Sequence, residues 1–329
     1  MPRHPLDVGG PRHTGVMGFT RSGIARTPVL EIAYEEAGPA DGPVAVLSHG
    51  FPYDVRAFDG VAGVLSASGV RVSAPYLRGF GPTRFTDAST PRSGEQAALA
   101  ADLVDLLDAL GIDRAVVGGY DWGGRASCIV AALHPARVSG LVTVDGYNVF
   151  NPAFAQEPTR PEWERTYWYK YYFHSEAGRR GLERYRHELG ELLWTTWSPE
   201  WADAATAYRE SAASLDNPDF VEVVIHSYRH RSGLVAGDPR YAPIEEAVSV
   251  EPPITVPTVV FEPHADGILG PSAAEDRAHF TGPYTLRSLP GVGHNVPQEA
   301  PREFAEAVLE LLRSRAEFGA HTGHAPPIA

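Results

Sequence analysis

Along the first half of the chain, short apolar runs alternate with stretches whose apolar residues recur at helical spacing. Residues 29–34 alternate apolar and polar, the period of a half-buried edge strand. Residues 44–47, 115–117 and 138–144 are nearly continuous apolar runs, as strands covered on both faces require, and 70–75 reads as one more strand. Between them, residues 58–65, 95–110 and 125–133 carry helical periodicity, the second of these stopping at Gly111. Strand and helix in alternation predict an α/β chain with a mostly parallel sheet and helices on both faces.

From about residue 148 to 246 the pattern changes. The stretches become long, amphipathic and rich in Arg and aromatic residues, with no buried strand. Five of the six tryptophans (Trp163, Trp168, Trp194, Trp197 and Trp201) fall here. Such a segment predicts a helical cap inserted into the sheet-bearing core. The strand pattern resumes at 256–261 and 284–289, and 301–315 reads as a closing amphipathic helix. The expected division is a flexible leader at 1–26, a core at 27–147 and 247–317, the cap at 148–246, and a disordered tail at 318–329.

Composition narrows the function classes. A net charge of −13 argues against a nucleic-acid partner, which wants a basic face, and against an anionic membrane surface. No apolar stretch reaches transmembrane length, and the first twenty residues lack a signal-peptide core. A cytoplasmic protein is expected, and both monomer and homodimer remain open. The single Cys128 excludes an internal disulfide and a multi-cysteine metal site, and in a helix it reads as a buried, inert thiol. No His, Cys or carboxylate cluster has ligand spacing, so neither metal nor organic cofactor is expected.

The candidate chemistry sits at Gly118-Gly119-Tyr120-Asp121-Trp122-Gly123-Gly124, between the 115–117 strand and the 125–133 helix. Strand, sharp glycine-flanked turn and helix make a nucleophile elbow, with Asp121 where a Ser is usual. The glycines let strand and helix approach closely around one strained residue. A carboxylate needs no base to become a nucleophile. It suits attack on an alkyl carbon and leaves an ester that water must cleave. A plain helix N-cap would also favour Asp, but it would not call for glycine on both sides.

Two more groups fall after inferred strands, where open α/β sheets place their sites. Asp266 follows the 256–261 strand, and His294 follows the last strand. The order nucleophile, acid, His is that of the α/β-hydrolase fold. His294 would take a proton from water and Asp266 would orient the ring. Asp145, at the end of the 138–144 strand, is the alternative acid. In His49-Gly50-Phe51-Pro52, the Phe51 backbone N–H and that of Trp122 would form an oxyanion hole, with His49 structural.

With these motifs in view, the sequence resembles the epoxide hydrolases of the α/β-hydrolase fold, from about residue 29 to 312. The carriers are His49-Gly50-Phe51-Pro52, Arg78-Gly79-Phe80-Gly81, the Asp121 elbow, and Gly293-His294-Asn295 followed by Pro297-Gln298-Glu299-Ala300-Pro301. The resemblance implies that an epoxide becomes a vicinal diol through an alkyl ester on Asp121. It also implies two cap tyrosines holding the epoxide oxygen. Tyr228, before Arg229, matches one. Tyr169, in Tyr169-Lys170-Tyr171-Tyr172-Phe173, matches the other, with Trp168 as its competitor for the pocket. Trp163, Tyr167 and Tyr171, at four-residue spacing, are expected to pack the cap. The aromatic-rich cap further resembles actinomycete secondary-metabolism members, and a bulky, apolar or aromatic epoxide is expected in a pocket with few charges. Haloalkane dehalogenases share most of these motifs and are the alternative. A non-catalytic ligand-binding protein on the same fold would show a damaged triad, and the residues quoted show none.

Overall fold

The computed structural model describes residues 18–152 and 157–321, with side chains described as far as 313. Among these residues one sheet holds nine strands. They are β1 (Arg21–Arg26), β2 (Leu30–Ala37), β3 (Val44–Ser48), β4 (Arg71–Pro75), β5 (Arg84–Phe85), β6 (Ala115–Gly119), β7 (Val138–Val144), β8 (Thr258–Pro263) and β9 (Tyr284–Leu289). Their order is β1-β2-β4-β3-β6-β7-β8-β9, with β5 paired to β2. Every neighbouring pair from β4 to β9 is parallel. The first edge is antiparallel, because β1, β4 and β5 all pair with β2 in that sense. Val46, Leu47, Val116, Val117, Leu141 and Val142 are fully buried. Those central strands read as unbroken apolar runs because helices cover both faces.

The core helices are α1 (Asp59–Ala67), α2 (Gln96–Ala109) and α3 (Asp121–Leu133). Between β7 and β8 the chain inserts α4 (Pro161–Thr166), α5 (Trp168–His174), α6 (Glu176–Trp197), α7 (Ala204–Ser211), α8 (Phe220–Arg231) and α9 (Ala242–Val248). After β9 come the short α10 (Val296–Glu299) and α11 (Pro301–His321). Helices α1 and α11 pack together on one side of the sheet, and α2 with α3 on the other. None of these helices is long and apolar enough to cross a membrane.

Two expected boundaries are corrected. Residues 21–26, assigned to the leader, form β1, whose backbone pairs along β2 from Arg21–Glu36 to Arg26–Glu31. Of its residues Ala25 alone is buried, so its sequence carries almost no apolar signal. Helix α11 continues to His321, past the expected end of the core at 317. Residues 322–329 of the expected tail and 1–17 of the leader lie outside the described residues.

Buried polar contacts fasten the inserted helices to the core. Trp194 donates from Nε1 to the Pro52 carbonyl at 2.9 Å. Ser211 and Ser214 both donate to the Asp54 carboxylate at 2.6 Å. Arg78, fully buried, binds both oxygens of Asp102 at 2.7 Å and donates to Tyr241 Oη at 2.9 Å. A bidentate pair of this kind holds geometry, and losing one partner leaves a buried charge unmatched. The Arg78-Gly79-Phe80-Gly81 motif therefore ties a core loop to α2 and to the end of the insertion.

Candidate active site

The turn from β6 into α3 places Asp121 at φ 50°, a region that costs a non-glycine residue energy. Close approach explains the glycines. A Cβ on Gly123 would lie 1.9 Å from the Ser48 carbonyl oxygen, and one on Gly50 would lie 2.5 Å from Asp121 Cβ. Asp121 is not the N-cap. That position belongs to Tyr120, and the Asp121 Oδ1 accepts instead from the Phe51 backbone N–H at 2.7 Å. The Trp122 N–H lies in the first turn of α3, where backbone donors have no intrahelical partner. Both expected oxyanion donors thus belong to the immediate surroundings of this carboxylate.

His294 stands on the loop between β9 and α10, and its Nδ1 lies 2.6 Å from Asp266 Oδ2. The other Asp266 oxygen accepts from the Ile268 N–H at 2.7 Å, which fixes the carboxylate toward the ring. His294 Nε2 is buried and has no hydrogen-bond partner among the described residues. Burial works most strongly against the imidazolium, but Asp266, Asp121 and Asp145 together outweigh it, and the pKa rises to about 9. Asp145, at φ 61°, closes the group: it, Asp266 and His294 present atoms within 4.8 Å of one another. Burial, then the Asp266 charge, push the Asp145 carboxyl well above its ordinary range. One of two adjacent carboxyls is held toward its neutral form, and the imidazole takes the other as its anion.

Glu299 holds the His294 loop from behind. It accepts from the Gly293 and Asn295 N–H groups at 2.8 and 3.1 Å and from Ser198 Oγ at 2.7 Å. His49 is structural. Its Nδ1 donates to Gly50 O at 2.8 Å and its Nε2 accepts from the Leu77 N–H at 3.1 Å. Burial lowers its pKa to about 4.

Asp121, Asp266 and His294 face one cavity of about 610 Å³ between the strand ends and the inserted helices. Its walls include Tyr147, Phe150, Tyr167, Tyr169, Arg125 and Arg231.

A family model described as the alpha/beta hydrolase fold matches residues 43–301. The chain belongs to the α/β-hydrolase fold family. Among solved structures, this α/β-hydrolase is 43% identical to a Klebsiella pneumoniae protein provisionally named an epoxide hydrolase. The match covers 90% of this chain and 98% of that one, with a TM-score of 0.88. It is 27% identical to "Epoxide hydrolase A" of Mycobacterium tuberculosis over 90% of this chain and 98% of the relative. A Mycobacterium marinum "Haloalkane dehalogenase" is 35% identical over a shorter stretch, 37% of this chain and 40% of the relative.

The inserted helices bring Tyr169 and Tyr228 together over the nucleophile. Both are 2% exposed, and their rings lie 5.4 Å apart and perpendicular. Tyr228 also packs edge-on against Phe51 at 5.5 Å. Burial first, then neighbouring groups, raise both phenol pKa values, so both hydroxyls stay protonated as donors. Trp168 is not brought to the site. It is 41% exposed and its ring meets Tyr169 and Tyr172 on the outside of α5. The reason is the break between α4 and α5 at Tyr167, which lets Tyr167 and Tyr169 both line the cavity and turns the residue between them outward. Tyr167 accordingly lines the cavity as well as packing against the core, with Tyr169 beside it. Tyr171 does not pack the cap, being 51% exposed and donating to Glu164.

The cavity of this α/β-hydrolase is also more charged than expected. Its aromatic wall is present, but Arg125, Arg231, Asp145 and Glu262 share the lining. A signal for the arginines lay in the sequence. Arg125 is four residues after Asp121 on α3 and Arg231 three after Tyr228 on α8, so each shares a helix face with a site residue. Glu299 had no such signal, since its partners come from the chain's fold around the His294 loop.

Proposed function

We propose that this α/β-hydrolase is an epoxide hydrolase that forms a vicinal diol through an alkyl ester on Asp121. The observation that carries the reading is a pair of buried, protonated tyrosines beside a carboxylate nucleophile: Tyr169 lines the cavity with Asp121, and Tyr228 packs against Tyr169, Phe51 and Trp122. Phe51 N–H engages Asp121 Oδ1, which leaves Oδ2 to attack. Its oxygen bonds to an epoxide carbon as the ring C–O bond breaks, and the alkoxide takes a proton from Tyr228 or Tyr169. Water then loses a proton to His294 Nε2 and adds to the ester's acyl carbon. The oxyanion so formed lies at Oδ1, against the Phe51 and Trp122 N–H groups. Collapse breaks the acyl C–O bond, the diol leaves with the proton from His294, and the second water proton, left on the Asp121 carboxyl, returns to the tyrosinate to restore the site.

Charge balance orders the two steps. In the free site Asp121 helps hold the His294 pKa at about 9. Esterification removes that negative charge, so the imidazole becomes easier to deprotonate when a base is needed. In a pH-jump experiment on accumulated alkyl-enzyme, ester hydrolysis is expected to rise with pH through a midpoint below 9. A midpoint at or above that value, or a flat profile, would contradict the coupling.

Tyr228→Phe is expected to slow alkylation by roughly 10²-fold, the usual contribution of a positioned proton donor, with ester hydrolysis nearly unchanged. Rapid-mixing kinetics separates the steps, and an unchanged alkylation rate would remove Tyr228 from the mechanism.

A second reading, haloalkane dehalogenase, is favoured by one observation. Trp122 Nε1 is buried next to the nucleophile with only the Tyr228 hydroxyl near it and no well-aligned hydrogen bond among the described residues, which leaves it open to a halide. A product assay on paired epoxides and alkyl halides decides between them, diol formation supporting the first and halide release the second.

A further inference from the structure

Apart from Asp121 and Asp145, the acidic groups that line the cavity have work elsewhere. Asp266 serves His294, Asp276 accepts from the Tyr147 N–H, and Glu262 accepts from the Ala273 N–H. The two arginines do not. Arg125 and Arg231 each have a buried Nε with no hydrogen-bond partner, and neither takes part in an ion pair among the described residues. The guanidinium of Arg231 lies over the rings of Tyr228 and Phe150, at 5.6 and 5.5 Å. That of Arg125 extends one helical turn from the nucleophile into the same cavity. Burial, then repulsion from Arg231, lower the Arg125 pKa to about 10, so its cation is held at a cost. Two half-buried cations facing one cavity, each with a buried, unmatched Nε, are the reverse of what a purely apolar substrate wants.

We propose that Arg125 and Arg231 form an anion-binding subsite that selects epoxides bearing a carboxylate beside an aromatic or apolar substituent, an inference that rests on the epoxide hydrolase reading. A carboxylate fits better than a phosphate. The planar fork of guanidinium matches a planar anion, and one further negative charge, added to that of Asp121, matches the two arginines without placing a dianion beside Asp121 and Asp145. The aromatic wall of Tyr147, Phe150 and Tyr167 takes the rest of the molecule. With the carboxylate anchored between α3 and α8, the epoxide is held between Asp121 on the first helix and Tyr228 on the second.

The test compares trans-3-phenylglycidate with trans-β-methylstyrene oxide, in which a methyl replaces the carboxylate. The wild type is expected to prefer the acid by about tenfold or more in kcat/KM. R125Q and R231Q should each reduce the acid-to-neutral ratio by roughly 10–100-fold, the range for a hydrogen bond to a charged group. R125K, which keeps the charge but not the fork, should fall between. A wild type that favours the neutral epoxide, or a ratio unmoved in both variants, overturns the subsite. Calorimetry with cinnamate, a carboxylate with no epoxide, separates the two readings. If no epoxide is opened but cinnamate binds the wild type and not R125Q, the subsite stands and the hydrolase reading falls. If epoxides are opened while cinnamate fails to bind and the ratio is flat, the reverse holds.

Discussion

In heavy-oxygen water with enzyme in excess, the first turnover is expected to give mostly unlabelled diol and a labelled Asp121 peptide. The expectation follows from which bonds break. Asp121 gives one carboxylate oxygen to the substrate carbon, and water enters at the acyl carbon, so the diol leaves with the enzyme's oxygen. His294→Ala removes the group that activates that water. Ester hydrolysis should then fall by about 10⁴-fold or more, in line with losses on removing one member of a catalytic triad. Alkylation persists, so the variant should accumulate an Asp121-bearing peptide heavier by the mass of the epoxide. Asp121→Ala should show neither adduct nor turnover. If His294 drove water directly onto the epoxide, the first diol would carry the label and His294→Ala would form no adduct, and the nucleophile assignment would fall with that result.

The parts of this site that were legible in the sequence are those set by local geometry. The elbow is seven consecutive residues in which a Cβ on Gly123 would lie 1.9 to 2.5 Å from Ser48 and His49 and one on Gly119 would lie 2.5 Å from Gly123. The strands β3, β6 and β7 announce themselves because they are buried on both faces. His294 and Asp266 follow strands in the expected order, and the structure joins them at 2.6 Å. What was not legible depends on where helices break or on partners far away in the chain. Trp168 and Tyr169 differ in exposure because the helix is interrupted at Tyr167, a break that no Gly or Pro marks. β1 is held by backbone pairing with little apolar content, so it read as leader. Arg125 and Arg231 are the reverse case. Their helical spacing from Asp121 and Tyr228 was visible, while the aromatic count of the cap pointed to a pocket with few charges. Arg78 and Glu299 sit in motifs that resemble the family's, yet their work is to hold loops. Their partners Asp102, Tyr241 and Ser198 come from separate parts of the chain.

Asp266→Asn and Asp145→Asn should separate the two carboxyls that stand beside His294. An Asn at 266 keeps an acceptor for the Ile268 N–H, but its amide nitrogen cannot accept a proton from imidazole Nδ1. The ring then loses both its anion and the tautomer that leaves Nε2 free as a base. Ester hydrolysis is expected to drop by roughly 10³–10⁴-fold, with alkylation far less affected. Asp145 stands at φ 61°, a conformation that Asn tolerates nearly as well as Asp, so the second substitution leaves the backbone unstrained. Its carboxyl is already driven toward the neutral form by burial and by Asp266, and a neutral amide changes little there. Asp145→Asn should therefore cost ester hydrolysis less than about tenfold, a surface-like change in an electrostatic sense despite its burial. Single-turnover decay of the alkyl-enzyme measures both, and thermal melting checks that both variants remain folded. A loss at Asp145 equal to or larger than that at Asp266 would move the orienting acid to the end of β7 and leave the 2.6 Å contact with Asp266 without a part in catalysis.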